Sequence, residues 1–295
     1  MLSRRSILTV ALLATSSLPL AAQSSSASAQ DRMVNAVIAS ARRAELAGQY
    51  AAAMELLRAT LGTVQGERGN APRTARLLAA LGLIQSEAAA YDGFSRDSAQ
   101  ATLERAHRSA VAAREPWALA DALAGIGRLH YWAAFDDSTA TWEVPRRYFQ
   151  SSDSLYRILG DSAAMAQSRF RLALIYERKE QRDSALTLFR EAEALAARLG
   201  YHLEHSYASR HIGYYLEEVT KQIDSALVYQ RRSLELRERA GFRPGEVFAL
   251  LAIGDVLRGA GRLEEARATY REALRRGEQV GVTRPLTMAR EAMKY

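Results

Sequence analysis

The chain contains no cysteine among its 295 residues. This absence excludes disulfides, thiolate metal ligands, thiol nucleophiles and lipid attachment to a cysteine. Proline and glycine are also scarce, with 6 and 18 residues, which favours helix over sheet in a chain rich in alanine, leucine, arginine and glutamate. With 48% hydrophobic and 25% charged residues, the composition is that of a globular protein with a substantial core.

Lysine is nearly missing as well. Lys179, Lys221 and Lys294 are the only lysines, so 40 − 3 = 37 of the basic residues are arginine. The net charge is +7, but the 33 acidic residues are interleaved with the arginines and no basic stripe forms. This pattern argues against nucleic acid as a partner.

The first 29 residues differ in composition from the rest of the chain. Two arginines precede an apolar run from Ile7 to Leu20, and small residues follow up to Ala27-Ser28-Ala29. The apolar run is too short for a comfortable membrane span of about 20 residues, and the order of the three regions is typical of a signal peptide. We therefore predict a signal peptide over residues 1–29 with cleavage near Gln30, and Ala22 as the second candidate position.

The segment Ser3-Arg4-Arg5-Ser6-Ile7-Leu8 resembles the twin-arginine export motif, although Ile7 stands where phenylalanine is usual and Thr9 where lysine is common. Export by either route predicts a periplasmic or secreted protein without a membrane span after cleavage. The alternative is that the segment stays uncleaved and anchors the protein.

A pattern with a period near 40 residues covers most of the remaining chain. Its last unit comprises Leu250, Ile253, Gly254, Leu257, Gly261, Ala266, Tyr270 and Ala273. The leucine and isoleucine spacing predicts one apolar helix stripe. Gly254 and Ala266 then allow two antiparallel helices to approach, Tyr270 fills the gap between them, and Gly261 closes the turn.

The earlier units repeat these features with variations. Ile212-Gly213 precedes Ile253-Gly254 by 41 residues, and Tyr229 lies near the aromatic position after a turn with one extra residue. The units before it carry Leu172-Ala173 with Phe189, Ile126-Gly127 with Phe149, and Leu81-Gly82 with Leu103. A first, weaker unit contains Ala41, Gly48, Tyr50, Ala53, Leu57 and Thr60.

This spacing resembles the tetratricopeptide repeat. The resemblance implies an all-α fold, a right-handed α-solenoid of six helical hairpins over residues 33–280, with a partial capping helix in residues 281–295. Each hairpin leaves an apolar face for its neighbour, so self-association through the ends of the array stays open.

Three Asp-Ser-Ala triplets, which begin at Asp97, Asp183 and Asp224, precede predicted second helices. We interpret the aspartate or serine as the helix N-cap. Leu159-Gly160 and Leu199-Gly200 are interpreted as helix C-caps between units.

No phosphate-binding glycine loop, nucleophile elbow or zinc-protease motif is present. His202, His205 and His211 cluster in the sequence, but two imidazoles on one helix face make an incomplete metal site and no third ligand is identifiable. The sequence therefore predicts no enzymatic activity, no metal and no cofactor.

In tetratricopeptide arrays, ligands commonly lie in the concave groove lined by the first helix of each hairpin. The resemblance places the following residues in that groove: Arg76, Arg128, Tyr131, Trp132, Phe170, Arg178, Tyr207, Arg210, Tyr214, Glu217, Phe248 and Arg258. Tyrosine, tryptophan and arginine are typical of binding hot spots. The alternative is that several rings are buried between helices while the arginines pair with glutamates.

The resemblance thus implies an exported, non-enzymatic scaffold or adaptor that binds a peptide or protein in its concave groove. The second hypothesis is a regulatory partner of a separately encoded peptidase or signalling enzyme. The Lys/Asn carboxylate clamp of chaperone-binding members is absent, because the chain has only three lysines, and this argues against a receptor for chaperone tails.

Overall fold

The computed structural model describes residues 20–137 and 139–294. Residues 1–19, and with them most of the predicted signal peptide, lie outside this part of the chain. In the first helix, side chains are described from residue 29 onward, and Val34 is the first of them that is buried.

Every regular element in these ranges is an α-helix. In chain order the helices are α1 (Leu20–Leu46), α2 (Tyr50–Gln65), α3 (Ala71–Tyr91), α4 (Arg96–Ala113), α5 (Pro116–Asp136), α6 (Glu143–Leu159), α7 (Ser162–Arg178), α8 (Arg182–Leu199), α9 (His202–Glu218), α10 (Ile223–Ala240), α11 (Arg243–Gly259), α12 (Leu263–Val280) and α13 (Thr283–Ala292).

Consecutive helices pair into six hairpins, from α1–α2 to α11–α12, and each hairpin packs against the next. The final helix, α13, packs against α11 and α12. The prediction of an all-α solenoid is therefore confirmed.

In the second, third, fifth and sixth hairpins, a glycine of the first helix lies beneath a large side chain of the second helix: Gly82, Gly127, Gly213 and Gly254. A Cβ at Gly254 would lie 2.3 Å from Cε1 of Tyr270, and one at Gly127 would lie 2.8 Å from the Phe149 ring. Because glycine has no side chain, the backbone of the first helix can lie directly against the aromatic ring of the second helix.

In the fifth hairpin the contact differs from the prediction. Gln230, not Tyr229, lies over Gly213, where a Cβ would be 2.8 Å from the Gln230 Nε2. The turn from α9 to α10 contains residues 219–222, one more than the 260–262 turn from α11 to α12. This extra residue shifts the register of α10 by one position.

Glycines end the second helix of several hairpins in the left-handed conformation, with φ near +70° at Gly160, Gly200, Gly241 and Gly281. The Leu-Gly C-cap predictions at Gly160 and Gly200 are thus confirmed. These glycines redirect the chain from one hairpin to the next.

The capping interpretation of the Asp-Ser-Ala triplets is wrong. The N-caps of α4, α8 and α10 are Ser95, Gln181 and Gln222, and only the Ser95 side chain accepts a backbone hydrogen bond there, from Ser98 at 3.1 Å. The three aspartates lie two residues after these N-caps, inside the first turn of each helix. There their carboxylates interact favourably with the positive end of the helix dipole.

The array curves until its two ends touch. Gly48, in the α1–α2 turn, has a φ of +81°, and a Cβ there would lie 2.9 Å from Val280 Cγ1 and 3.0 Å from Val282 Cγ2. Val282 is buried in the same hydrophobic cluster as Val34 of α1. The solenoid is therefore closed into a ring, and closure covers part of both end surfaces; self-association through the ends stays a prediction.

No helix in the described ranges combines the length and the apolar character needed to cross a bilayer.

Candidate functional site: a cavity inside the helical ring

The ring encloses a cavity of about 650 Å³, here called the central cavity. Its walls come from α3 and from every helix between α5 and α11, and α13 completes them. The aromatic and basic lining residues are Tyr91, Arg128, Tyr131, Trp132, Phe135, Phe149, Phe170, Arg171, Arg178, Arg182, Phe189, Tyr207, Arg210, His211, Tyr214, Tyr215, Arg237, Phe242, Phe248 and Arg284.

Aromatic pairs link different hairpins across the cavity wall. Phe170 of α7 stacks on Tyr207 of α9 with ring centres 5.3 Å apart and planes 18° apart. Tyr91 at the end of α3 contacts Phe248 of α11 at 5.3 Å, which bridges the second and the sixth hairpin. Because these rings hold one another in place, they present rigid apolar surfaces to the cavity.

Arg128 is fully engaged with α3. It forms an ion pair with Glu87, donates from Nη2 to Leu83 O at 2.9 Å, and bonds Ser86 Oγ at 2.7 Å. Glu87 is only 6% exposed, so the pair satisfies a buried charge on each side. Arg128 therefore positions α5 against α3.

Two further arginines lie over aromatic rings. The guanidinium of Arg178 is 4.8 Å from the centre of the Phe135 ring, and that of Arg284 is 4.9 Å from the Trp132 ring. Arg178 Nε also donates to Tyr131 Oη at 3.3 Å. Such cation–π contacts order the guanidinium planes along the wall.

Of the seven arginines that line the cavity, only Arg128 has a carboxylate within ion-pair distance among the described residues. Arg171, Arg210 and Arg237 are the three that also keep a buried nitrogen atom without a hydrogen-bond partner. Burial lowers the pKa of Arg171 to about 10, with nearby Arg128 acting in the same direction. Burial also lowers the pKa of Arg237 to about 10, and Arg210 contributes. Both shifts have the same two physical causes, burial of the guanidinium group and the proximity of another arginine.

Each of these arginines retains a buried nitrogen atom without a hydrogen-bond partner in the described structure: Nη1 of Arg171, and Nε of Arg210 and Arg237. Arg237 uses Nη1 to donate to Gly245 O at 2.6 Å. Arg210 donates from Nη2 to Tyr214 Oη at 2.5 Å. All three side chains belong to the wall of the central cavity.

The clustered histidines do not converge on a metal. His211 Nδ1 lies 3.0 Å from Glu177 Oε1 on the cavity side, whereas His205 Nε2 lies 3.5 Å from Glu193 Oε1. No group of three or more histidine, aspartate or glutamate side chains within the described ranges is arranged to hold an ion. Burial alone would raise the pKa of Glu177. The charge of His211 and its hydrogen bond lower that pKa by more, so the pKa of Glu177 lies below its usual value.

Nine of the twelve groove residues predicted from the sequence line the central cavity: Arg128, Tyr131, Trp132, Phe170, Arg178, Tyr207, Arg210, Tyr214 and Phe248. The other three lie elsewhere. Arg76 pairs with Asp31 of α1 at 2.5 Å, Arg258 donates to Tyr270 Oη at 3.3 Å, and Glu217 lies near Gly259. Whether any of the twelve binds a partner stays a prediction.

The sequence reasoning missed Tyr91, Arg171, Arg237 and Arg284. Arg237 lies on the second helix of its hairpin, a face that the groove argument did not consider. Arg284 belongs to α13 and reaches the cavity only because the ring closes. Arg171 directly follows the predicted Phe170, and a wider window around that position would have included it.

The described cavity wall contains neither serine nor threonine. Its polar groups are guanidinium donors, tyrosine hydroxyls, the Gln167 amide, His211 and four glutamates. Together with the ring faces, these groups are suited to bind an organic ligand.

Family models of the tetratricopeptide repeat match residues 206–279 and 166–198. These matches support the tetratricopeptide repeat family. The matched segments comprise α9–α12 and most of α7–α8, which carry the middle and the end of the cavity wall. No curated protein matches the sequence of this chain.

Solved structures show the same tetratricopeptide-like fold at low sequence identity. BtubC (BKLC) from P. vanneervenii is 17% identical, with a TM-score of 0.53 over 84% of this chain and 92% of that one. The Rap conjugation gene regulator of plasmid pLS20, in complex with a Phr peptide, is 16% identical with a TM-score of 0.62, over 81% of this chain and 60% of that one. A Rap protein complexed with competence and sporulation factor is 11% identical, with a TM-score of 0.60 over 85% and 78%.

Proposed function

We propose that this chain is an exported, non-enzymatic scaffold that binds a peptide or a short protein segment in the central cavity. The observation that carries the proposal is the cavity itself, whose ring faces and guanidinium groups converge from the second to the sixth hairpin. A volume of about 650 Å³ is within the range of sites that enclose drug-sized molecules, and a few residues of a peptide fill such a space.

The structural neighbours add support at the level of fold. Two of them are Rap proteins whose structures contain a Phr peptide or competence and sporulation factor. Because identity is below 20%, the likeness does not transfer a ligand. It supports only the idea that a tetratricopeptide array of this length can hold a peptide.

The proposal is tested by recovery of a partner on the full chain. Trp132 and Tyr214 are partly exposed in the cavity wall, so Trp132→Ala and Tyr214→Ala remove contact surface from the cavity. Because Trp132 also contacts Tyr131 and Arg284, thermal melts must first show that each variant is folded. Trp117→Ala is the matched control, because Trp117 is 42% exposed and outside the cavity. Affinity purification from exported-protein fractions, followed by mass spectrometry, is expected to recover a partner with wild type and the control only.

Unchanged recovery with a folded Trp132→Ala/Tyr214→Ala variant would place the partner outside the cavity. If the recovered protein is a peptidase or signalling enzyme whose activity changes on binding, the second hypothesis, a regulatory partner of that enzyme, replaces the scaffold. Both hypotheses use the same cavity.

The export part of the proposal rests on residues 1–29. Cell fractionation and amino-terminal sequencing test it, with a mature chain beginning near Gln30 expected in the periplasm or the medium. Such cleavage would leave Val34 and the Asp31–Arg76 ion pair in place. An uncleaved chain in the membrane fraction would instead support the anchored alternative.

A further inference from the structure

The helix ends form two edges of the ring. The turns within hairpins lie at one edge, here called the upper edge, and the turns between hairpins lie at the other, the lower edge, because successive helices run antiparallel. Each second helix therefore begins at the upper edge and ends at the lower edge. Ring closure covers part of the two ends of the array, but it leaves exposed residues along both edges.

Acidic residues recur along the upper edge. Asp183, Asp224 and Glu265, here called the acidic ladder, follow one another at intervals of 41 residues. Each of them is exposed in the first turn of a second helix, in α8, α10 and α12. The second helices of the two preceding hairpins also have an acidic residue in the first turn, Asp97 and Glu143. The repeat thus places carboxylates at this edge from the second to the sixth hairpin.

Arginines recur with the same spacing along the lower edge. Arg157, Arg198 and Arg239, here called the basic ladder, also follow one another at intervals of 41 residues. Each of them is exposed in the last turn of a second helix, in α6, α8 and α10. Arg114 and Arg243, which flank turns between hairpins, are exposed at the same edge. The two edges therefore carry ladders of opposite charge and equal period.

Apolar side chains are exposed beside both ladders. At the lower edge, Ile158 and Leu199 directly follow two of the arginines and are 82% and 40% exposed. At the upper edge, Val219 and Leu263 are 38% and 51% exposed. Helix dipoles favour acids at helix starts and bases at helix ends, which accounts for the charges but not for the aliphatic side chains next to them. Protein–protein interfaces combine both kinds of residue, in an apolar core and a polar rim.

The charges within one chain do not consume the ladders. Arg239 pairs with Glu235, and Glu265 pairs with Arg262, each within one helical turn. Exposed pairs of this kind contribute little stability, so contacts with another molecule can replace them.

The upper edge also carries exposed basic residues, such as Lys179, Arg182 and Lys221. The exposed acidic residues at this edge are more numerous, because the acidic ladder is joined by Glu180, Glu218 and Glu264. The upper edge is therefore acidic on balance.

A second copy of the chain offers the complementary surface. When the lower edge of one copy lies on the upper edge of another, arginines and carboxylates of equal period meet at matching intervals, and aliphatic side chains of both edges are covered. One ring cannot pair its own ladders, because they lie at opposite edges. Such a contact is heterologous and leaves one edge free at each end of a stack.

We infer that the chain associates head to tail with further copies of itself, through the basic ladder of one ring and the acidic ladder of the next. Glu180 and Val219 of the upper edge also line the central cavity, so a docked copy covers part of the cavity rim. The inference goes beyond the proposed function and does not depend on what the cavity binds.

Sedimentation velocity of the full chain measures the association. At low ionic strength, wild type is expected to form species larger than the monomer as the protein concentration rises. At high salt it is expected to return to the monomer, because salt screens exposed charges. A monomer at every concentration in low salt would overturn the inference.

Charge reversal at one edge tests the direction of the contact. Arg157→Glu/Arg198→Glu makes the lower edge acidic, and Asp183→Arg/Asp224→Arg makes the upper edge basic. Either variant alone is expected to associate at least about tenfold more weakly, because like charges then meet. An equimolar mixture is expected to associate again, since each variant keeps one native edge. A chain with all four substitutions should also associate, because its ladders are exchanged.

Arg190→Glu/Arg231→Glu is the matched control. These arginines are exposed and also 41 residues apart, but they lie midway along α8 and α10, and their reversal changes the net charge as much as the lower-edge variant does. The control is expected to associate like wild type. An equal loss in the control, or a mixture of the two edge variants that stays monomeric, would overturn the head-to-tail contact.

If circular dichroism shows that a reversed variant does not fold, the neutral variants Arg157→Gln/Arg198→Gln and Asp183→Asn/Asp224→Asn decide the question. Both are expected to associate more weakly than wild type at low salt, and unchanged association of both would overturn the role of the ladders. Partner recovery on the central cavity is measured separately, so a monomeric chain leaves the proposed function standing.

Discussion

Asp92 and Thr283 are 191 positions apart in the chain, yet both the backbone N–H and the hydroxyl of Thr283 donate to Asp92 Oδ1 at 3.0 Å. Beside them Arg284 donates to Ala90 O at 3.2 Å and lies over the Trp132 ring. These contacts join α13 to the second and third hairpins. They convert a curved array into a ring with an interior.

Asp92→Ala removes both hydrogen bonds at this junction. Because the site is exposed, we expect a loss of about 0.5–1.5 kcal/mol in the free energy of unfolding. Hydrogen exchange of α13 amides should become faster while the α11 core keeps its protection. Asp97→Ala, an exposed aspartate that does not contact α13, is the control; equal exchange of α13 in both variants would contradict the junction.

Gly254→Ala tests the helix approach within the last hairpin. Alanine raises helix propensity, but its Cβ would lie 2.3 Å from the Tyr270 ring, so we expect a net destabilisation of about 1–3 kcal/mol. Gly62→Ala in α2 is the matched control, since no atom lies within 4 Å of its Cβ. That change should stabilise the protein by about 0.5–1 kcal/mol. Equal denaturation midpoints for the two variants would refute the close contact.

Arg128→Met leaves Glu87 buried without its partner. We expect a loss of about 3 kcal/mol in the free energy of unfolding, because an uncompensated buried charge is costly. Adding Glu87→Gln to the variant should recover part of the loss. Urea denaturation of the two variants measures this, and a double variant as unstable as the single one would show that the pair has no mutual role.

Asp121→Asn tests a pH dependence. Burial raises the pKa of Asp121 above its usual value, and the hydrogen bond from Tyr156 Oη, 2.6 Å long, opposes the shift only in part. At neutral pH the folded protein must therefore hold an ionised carboxylate that burial disfavours, and stability rises as the pH falls through the folded pKa.

The asparagine variant has no such charge and still accepts the Tyr156 hydrogen bond. Its melting temperature should exceed that of wild type at neutral pH, and the difference should shrink as the pH approaches about 4, the unfolded value for aspartate. Thermal melts at several pH values check this. A melting-temperature difference that does not change with pH would show that the titration of Asp121 does not cause it.

The hairpins could be predicted from the sequence because their determinants are local. Gly254 and Tyr270 are 16 residues apart. Their contact depends only on the end of α11, the short turn after it and the first half of α12. The prediction is wrong by one position at Gln230, because the extra residue in the preceding turn shifts the register of α10.

Ring closure was beyond sequence reasoning. It depends on small rotations that add up over six hairpins, and its contacts join residues that are far apart in the chain, such as Asp92 and Thr283, 191 positions apart. For this reason the groove prediction identified Tyr131 and Tyr207 on first helices but missed Arg237 and Arg284. The cavity exists only where distant hairpins face one another.

A cross-linking experiment tests the closed ring most directly, and the chain suits it because it has no native cysteine. Asp92→Cys/Thr283→Cys treated with a short bis-maleimide at low protein concentration should give a monomer joined within one chain, seen as one intact mass and one cross-linked peptide. Rapid reaction within the monomer is the predicted result. Unlinked monomers, or links only between two chains, would show an open array and contradict the central cavity.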